Sequence, residues 1–337
     1  MATIFYQHDK KSFSEPNIAC KIKFRSHKSE IFQLFDFFLA TDPKTRARNL
    51  GVRSYHVTPL GPEMGLIEWV ADLTSFKGAV CPVYNRKSIH NIQHNYQPQY
   101  KNEKKDFELY TKGKCEIPIE KLVFILKFSV MKTMNPPLFH QWFLDRFHTG
   151  QSWLKARTTY TNSLAVTSII GNIIGLGDRH CENIQICKKT GELVHIDLNM
   201  IFERGLNLGV PEIVPFRMTP NIIDGCGVTG LDGNFRTIAI MTMRLAKEKE
   251  KMLRTVISLF LADPTINWNN FKTRDNKRDS RKETSNAKSL IDVMNRIHCI
   301  TKDNEALSEA EYLDHLLKSA TCTKKLSKMW RGWAPQI

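Results

Sequence analysis

What this chain lacks narrows its class before any motif is considered. None of its eight cysteines, at 20, 81, 115, 181, 187, 226, 299 and 322, forms a CxxC pair. That spacing indicates neither a zinc site nor a densely bridged secreted domain, and reduced, mostly buried thiols are expected. No apolar run reaches the ~18 residues that a membrane-spanning helix needs. The longest candidate, Leu164 to Leu176, is interrupted by Thr167, Ser168, Gly171 and Asn172. The first residues, MATIFYQHDKK, lack the apolar centre of a secretory signal, so the chain is expected to start and stay in the cytosol or nucleus. No internal repeat is visible. Acidic residues are in deficit, 34 against 49 basic ones, and the net charge of +15 points to polyanionic partners such as nucleotide or acidic protein. Direct DNA binding and membrane association are not expected.

What is present suits two compact lobes and a sizeable core, with 337 residues of which 42% are hydrophobic. Ser29 to Thr41 reads as a helix, with Ile31, Leu34, Phe35 and Phe38 on one stripe. Leu50 to Leu60 reads as a strand, Gly61 to Gly65 as a turn and Leu66 to Val70 as a second strand. Arg86 to Lys114 is polar and reads as a loop or insertion. Lys121 to Met131 reads as a buried helix, broken by Asn135-Pro136-Pro137. A further helix carries Val166, Ile169, Ile170, Ile173 and Ile174 and stops at Gly175-Leu176-Gly177. Two strands follow, Ile184 to Cys187 and Leu193 to Asp197. Helices resume near Leu231, including one with Leu253, Val256, Ile257, Phe260 and Leu261. Phe271 to Asn286 is too polar to pack and reads as a flexible linker. A pair of short helices leads to an aromatic-rich tail.

The chemistry lies between the long helix and the strand pair, in Gly175-Leu-Gly-Asp178-Arg179-His180-Cys-Glu-Asn183. Asp178 and Asn183 have the separation of the catalytic Asp and metal-binding Asn of ordinary protein kinases. A second acid, Asp197, ends the next strand. Phosphoryl transfer needs these types in this order: one carboxylate to position or deprotonate the attacking hydroxyl, then an amide oxygen and a second carboxylate to hold Mg²⁺ against phosphates. His180 could add a hydrogen-bonding or positive group where charge develops.

GLGDRHCENI followed by LVHIDLN resembles the catalytic loop and metal-binding segment of the phosphatidylinositol-3-kinase-related protein kinases (PIKK family). GVPEIVPFRMTPNIIDGCGVTGLDGNFR is similar to their activation segment, and LSKMWRGWAPQI to their C-terminal FATC tail. Asn199, VPEIVPFR and RNLGVRSYHVTPLGPEMGLIEWV are most similar to the ATR checkpoint branch. The resemblance covers residues 17 to 270 and 305 to 337. It implies an α+β, two-lobed fold of the PI3/PI4-kinase type, with a truncated N-lobe and a mostly helical C-lobe. The implied division is a partial N-lobe and hinge over 1–70, a C-lobe over 71–270, a basic linker and helix over 271–304, and the tail over 305–337.

By the same resemblance Asp178 is the catalytic base, His180 a transition-state stabiliser, and Asn183 and Asp197 the metal ligands. Glu68, Trp69 and Val70 form the adenine-binding hinge. Lys21 is the candidate phosphate-contacting lysine, with Lys23 as the alternative and Glu30 as a candidate helical ion-pair partner. ATP and Mg²⁺ (or Mn²⁺) are the implied cofactors. Substrates would be proteins with Ser/Thr-Gln sites, in nuclear DNA-damage and replication-stress signalling, with an ATR-interacting protein as partner. Two other readings stay open. An inositol-lipid kinase shares the Asp-Arg-His-x-x-Asn loop but needs clustered bases in the activation segment, where Arg204 alone lies between Asp197 and Pro215. A catalytically impaired kinase-fold scaffold would also retain the motifs. Trp330 and Trp333, three residues apart, are expected to share one helix face in the tail.

Overall fold

In the computed structural model, residues 18–22, 28–59, 64–86, 136–262 and 280–334 are described, with single positions at 109, 116–118 and 120–121. The expected helix over Lys121 to Met131 therefore lies outside the described residues except at its first position. Most of the polar stretch from Arg86 to Lys114 does too.

The first sheet holds β1 (Ile18–Ile22), β2 (Val57–Pro59) and β3 (Met64–Glu68) in the order β1-β3-β2. Both pairings are antiparallel, with Lys21 opposite Gly65 and Val57 opposite Ile67. The strand expected from Leu50 forms only at its end. Leu50, Val52 and Tyr55 are buried without being strand, because the segment packs rather than pairs. The Val52 N–H donates to Asp36 Oδ1 at 2.8 Å, which ties this segment to α1 (Lys28–Thr41). Helix α1 has the expected buried stripe of Ile31, Phe35 and Phe38. It is followed by α2 (Pro43–Arg46), whose N-cap Asp42 accepts from the N–H groups of Lys44 and Thr45.

The second sheet joins parts of the chain that are distant in sequence. β4 (Leu73–Ser75) follows β3 after a short turn and pairs antiparallel with β5 (Ile184–Cys187), which pairs with β6 (Leu193–His195). β4 is too short to show an alternation, and nothing in its composition announces it. Residues 69–72 thus bridge the two sheets, and Lys188 N–H donates to Asp72 O at 2.7 Å where they meet. β6 ends two residues before Asp197, since Asp197 has φ +51°, which no strand residue adopts.

Helices then form the bulk of the chain: α3 (Phe76–Arg86), α4 (Phe139–Arg146), α5 (Gly150–Ile174), α6 (Pro220–Gly225), α7 (Asn234–Glu248) and α8 (Glu250–Ala262). The central one is α5, which packs along α7 and against β6. Its start is fixed by a capping box in which Ser152 N–H donates to Thr149 Oγ1 at 3.2 Å. Its end is fixed by Gly175 at φ +61°, with Leu176 N–H reaching back to Gly171 O at 2.8 Å. Between the ends, Ser163 Oγ donates to Thr159 O and accepts the Leu193 N–H at 2.9 Å, pinning β6 to the helix.

Phe76, Phe139, Trp142, Phe143 and Tyr160 form an aromatic cluster where α3, α4 and α5 converge. A polar seam runs beside it. Tyr84 Oη donates to Pro136 O and accepts from Asn221 Nδ2, while Leu138 N–H donates to Asn221 Oδ1. The expected flexible linker is corrected at its end. Helix α9 (Ser280–Ile297) begins inside it and turns its Val293, Met294 and Ile297 into the core. The 3₁₀ turn Arg204–Asn207, α10 (Glu309–Ala320), α11 (Thr323–Leu326) and a final turn, Arg331–Trp333, complete the described chain.

Phe139 is fully buried and touches Phe76, Phe143 and Tyr160 at ring-centroid distances of 5.1 to 5.3 Å. Phe139→Ala is expected to destabilise the fold by about 3–5 kcal/mol. Thermal unfolding checks this, and a melting temperature equal to the parent's would show that the cluster is not a keystone of the core.

Candidate active site

The loop from Leu176 to Asn183 is held at both ends, by the glycine cap of α5 and by β5. Gly177 N–H donates to Met200 O at 2.7 Å, and Ile196 N–H donates to Asn183 O at 3.1 Å. Within the loop Asp178 takes the left-handed conformation, with φ +60°. Asn183 Nδ2 donates to Asp178 O at 2.8 Å and lies 3.5 Å from Asp178 Oδ2. Only the amide nitrogen can donate to that carbonyl, so Asn183 Oδ1 is left as an acceptor. His180 Nδ1 accepts the Glu182 N–H at 3.2 Å, so the neutral ring carries its proton on Nε2.

Arg179 ties this loop to the Asp197 segment. Its side chain is buried, and Nε donates to Gly177 O at 2.9 Å, Nη1 to Ile196 O at 2.9 Å and Nη2 to Asp197 O at 2.6 Å. Burial lowers the Arg179 pKa, and the charges of Asp178, Asp197 and Glu212 oppose that shift. His195 lies beside it, with Nδ1 at 3.4 Å from Nη1. Burial, followed by the Arg179 charge, pushes the His195 imidazole down to about 3, so it faces the guanidinium as a neutral ring. Asp197 Oδ1 accepts from Asn199 Nδ2.

Asp178, His180, Asn183 and Asp197 are thus brought into one loop cluster. Glu68, Trp69 and Val70 stand apart from it, at the crossing from β3 to β4. Glu68 N–H donates to His56 O at 2.9 Å, and its carboxylate accepts the His56 N–H. Trp69 is 51% exposed and offers a flat apolar face. Lys21 lies on β1 opposite Gly65, in the sheet that ends at Glu68. The Lys21 side chain and all of Lys23 lie outside the described residues. Glu30 is in the first turn of α1.

Three contributors escape a reading of local pattern. Tyr55 faces the backbone of Asp197 and Leu198. Burial first, and then the Asp197 charge, push its phenol up to about 12. Glu212 accepts the Asp178 N–H. Arg217, buried, donates to Trp333 O at 2.5 Å, to Ala334 O at 2.8 Å and to Cys181 Sγ at 3.1 Å, with its guanidinium 4.2 Å from the Trp333 ring centroid. Trp333 and Ala334 are thereby fastened to the loop that carries Asp178. Glu212 and Arg217 both fall in the quoted VPEIVPFR segment, but only the fold shows what they touch.

Asn183 Oδ1 and the Asp197 carboxylate are hard oxygen donors. Mg²⁺ takes such donors together with phosphates and water rather than in an all-protein cage, so the donor set fits that ion. Among the described residues no three His, Cys, Asp or Glu side chains converge on one point. A cavity of about 750 Å³ opens beside the loop, between residues 203–215 and helices α9 and α10, with Gly177 and Glu212 in its wall. Among the described residues, no helix is long and apolar enough to cross a membrane.

Comparison with known proteins identifies the family. A family model described as phosphatidylinositol 3- and 4-kinase matches residues 17–270. The chain is 33% identical over 315 residues to serine/threonine-protein kinase MEC1 of Candida albicans, covering 90% of this chain and 12% of that protein. It is 36% identical over 298 residues to protein kinase rad3 of Schizosaccharomyces pombe, covering 88% of this chain and 12% of that protein. The chain therefore spans about an eighth of the length of these relatives. A solved structure, the FAT and kinase domain of CtTel1, superposes with a TM-score of 0.77 at 27% identity, over 95% of this chain and 22% of that one.

The two tail tryptophans do not share a face. Trp333 is 2% exposed and packs with Leu326, Met329, Ile213 and Val214, whereas Trp330 is 55% exposed. The tight turn Arg331–Trp333 separates them, and Trp330 folds back over Gly332. Trp333→Ala is expected to cost about 3–5 kcal/mol, and Trp330→Ala no more than about 0.5 kcal/mol. Chemical denaturation of the two variants checks the contrast, and equal losses would contradict it.

Proposed function

The chain belongs to the phosphatidylinositol 3- and 4-kinase family, among the phosphatidylinositol-3-kinase-related protein kinases, and from that premise we propose that it is the catalytic region of an ATP-dependent Ser/Thr protein kinase. The observation that carries the reading is the joining of Asp178, Asn183 and Asp197 through the buried Arg179. In this reading Asp178 orients the acceptor hydroxyl and receives its proton. Asn183 Oδ1 and Asp197 hold Mg²⁺ (or Mn²⁺), which supplies charge neutralisation at the ATP phosphates. His180 donates from Nε2 toward charge developing in transfer. Backbone groups of Glu68 to Val70 take the adenine edge with Trp69 against its plane, and Lys21 reaches the phosphates.

The finer assignment is to the ATR type, acting on Ser/Thr-Gln sites in nuclear DNA-damage and replication-stress signalling, with an ATR-interacting protein as partner. Asn199 and VPEIVPFR support it. Protein rather than lipid acceptors are favoured because Arg204 is the one base between Asp197 and Pro215. The division at residues 70, 270 and 304 belongs to the same proposal, with α9 as the helix that joins the catalytic part to the tail.

A radiolabelled-ATP assay on a Ser-Gln peptide, run beside an inositol-lipid vesicle, tests the reading. Label is expected on the peptide and not on the lipid. Lipid labelling would identify the lipid-kinase alternative, and no transfer despite Mg²⁺-dependent ATP binding would identify a scaffold.

Asp178→Asn keeps size and some hydrogen bonding but removes the base. Transfer is expected to fall by ~10² or more while Mg²⁺-ATP affinity is retained. Asp197→Ala is expected to lose affinity and transfer together. Nucleotide titration alongside turnover separates the two: parental turnover in Asp178→Asn, or parental affinity and turnover in Asp197→Ala, would refute that residue's role.

A further inference from the structure

The sequence leaves unexplained why Asp178 is preceded by a glycine and why its backbone is held in a conformation that ordinary residues avoid. A left-handed residue with a Cβ costs roughly 1–2 kcal/mol relative to a right-handed one, so neighbouring contacts have to fix it. Two do so. Asn183 Nδ2 holds the Asp178 carbonyl, and the carboxylate of Glu212 accepts the Asp178 N–H.

Glu212 is itself placed by close backbone packing. Its N–H donates to Gly205 O at 3.1 Å. A Cβ built on Gly177 would lie 2.8 Å from Glu212 Oε2 and 2.9 Å from Gly205 Cα, and one built on Gly205 would lie 2.8 Å from the same carboxylate oxygen. The contact of a Gly177 Cβ with the Gly205 backbone could not be relieved by a side-chain shift, so position 177 needs glycine for the two segments to approach, while at Gly205 the crowding is with the carboxylate itself. Burial raises the Glu212 pKa, while the Asp178 N–H, the Arg179 charge and the nearby Trp333 lower it. The Trp333 Nε1–H is buried and lies by Glu212 without a well-formed hydrogen bond among the described residues.

We propose that Glu212 is a positioning residue for phosphoryl transfer, acting through the Asp178 N–H to fix the direction in which the Asp178 carboxylate points. The inference rests on the reading of Asp178 as the base. The acceptor oxygen, rather than the charge, is what the role requires. Removing it takes the acceptor from a part-buried N–H and frees the left-handed residue to relax. A displacement of about 1 Å at a catalytic group can cost ~10² in rate.

The test compares Glu212→Ala, Glu212→Met, Glu212→Gln, Asp178→Asn and the double variant Glu212→Ala/Asp178→Asn. Peptide kinetics, Mg²⁺-ATP affinity and melting temperature are measured for each. Glu212→Ala and Glu212→Met are expected to lower kcat by ~10–100-fold with Mg²⁺-ATP affinity little changed. Glu212→Gln, which keeps a carbonyl oxygen, is expected to recover most of that loss. In the Asp178→Asn background Glu212→Ala is expected to add little, because the group it positions is already gone. If Ala fails to fold, Met keeps the side-chain length without the acceptor, and the double variant is then made with Met. A folded Gln variant as impaired as Met, or full additivity with Asp178→Asn, would overturn the inference. Parental activity in Asp178→Asn alone would instead overturn the assignment of the base.

Discussion

The guanidinium of Arg179 is the charge on which the site depends. It is 3% exposed, and a buried cation is tolerated only when its donors are met and opposite charge lies near. Carbonyls of Gly177, Ile196 and Asp197 take its protons, and three carboxylates surround it. Those carbonyls come from both sides of the β5–β6 hairpin, so satisfying one side chain sets the spacing between the Asp178 loop and the Asp197 segment. His195 conforms to the same requirement by staying neutral. The loop that carries Asp178 and the segment that carries Asp197 are therefore held together by a group whose own burial would otherwise be costly.

The rest of the chain is arranged to keep that clamp rigid. Helix α5 is capped at both ends and delivers the loop at Gly175, while Ser163 fixes β6 to its flank. Pairing of β4 with β5 brings the crossing at Glu68–Asp72 to the far side of the same hairpin. The tail is docked at Trp333 and Ala334 through Arg217, which holds Trp333 and Cys181 together. The segment that follows Asp197 is fastened as well, since Glu203 pairs with Arg296 at 2.8 Å and Lys302 at 3.0 Å. Helix α5, the hairpin and the Trp333–Ala334 backbone thus attach to the loop that carries Asp178, and α9 attaches to Glu203.

The loop and its acids, the amphipathic helices and the strand pair from Ile184, except for the last two residues expected of its second strand, were legible in the sequence. Loop spacing is a local property, and helical stripes repeat within four residues. β5 matches its expected bounds because Lys188 to Gly191 marks the turn unmistakably. The strand from Leu50 was overdrawn because alternating apolar residues bury equally well in irregular backbone. The linker was drawn past its end because the helical stripe of α9 begins in a polar turn, and the apolar residues that betray it come only after Asn286.

By itself the sequence determined the family, since the order and separation of Asp178, Asn183 and Asp197 are local features of the chain. Only the tertiary structure decided what holds them. The pairing of β4 with β5, the reach of Glu212 to Asp178, the stacking of Arg217 on Trp333 and the outward turn of Trp330 all join residues far apart along the chain or depend on burial. Local pattern records which residues prefer to be inside. It does not record which distant partner will be there to meet them, because that follows from the packing of whole elements and the need of each buried polar group for a partner.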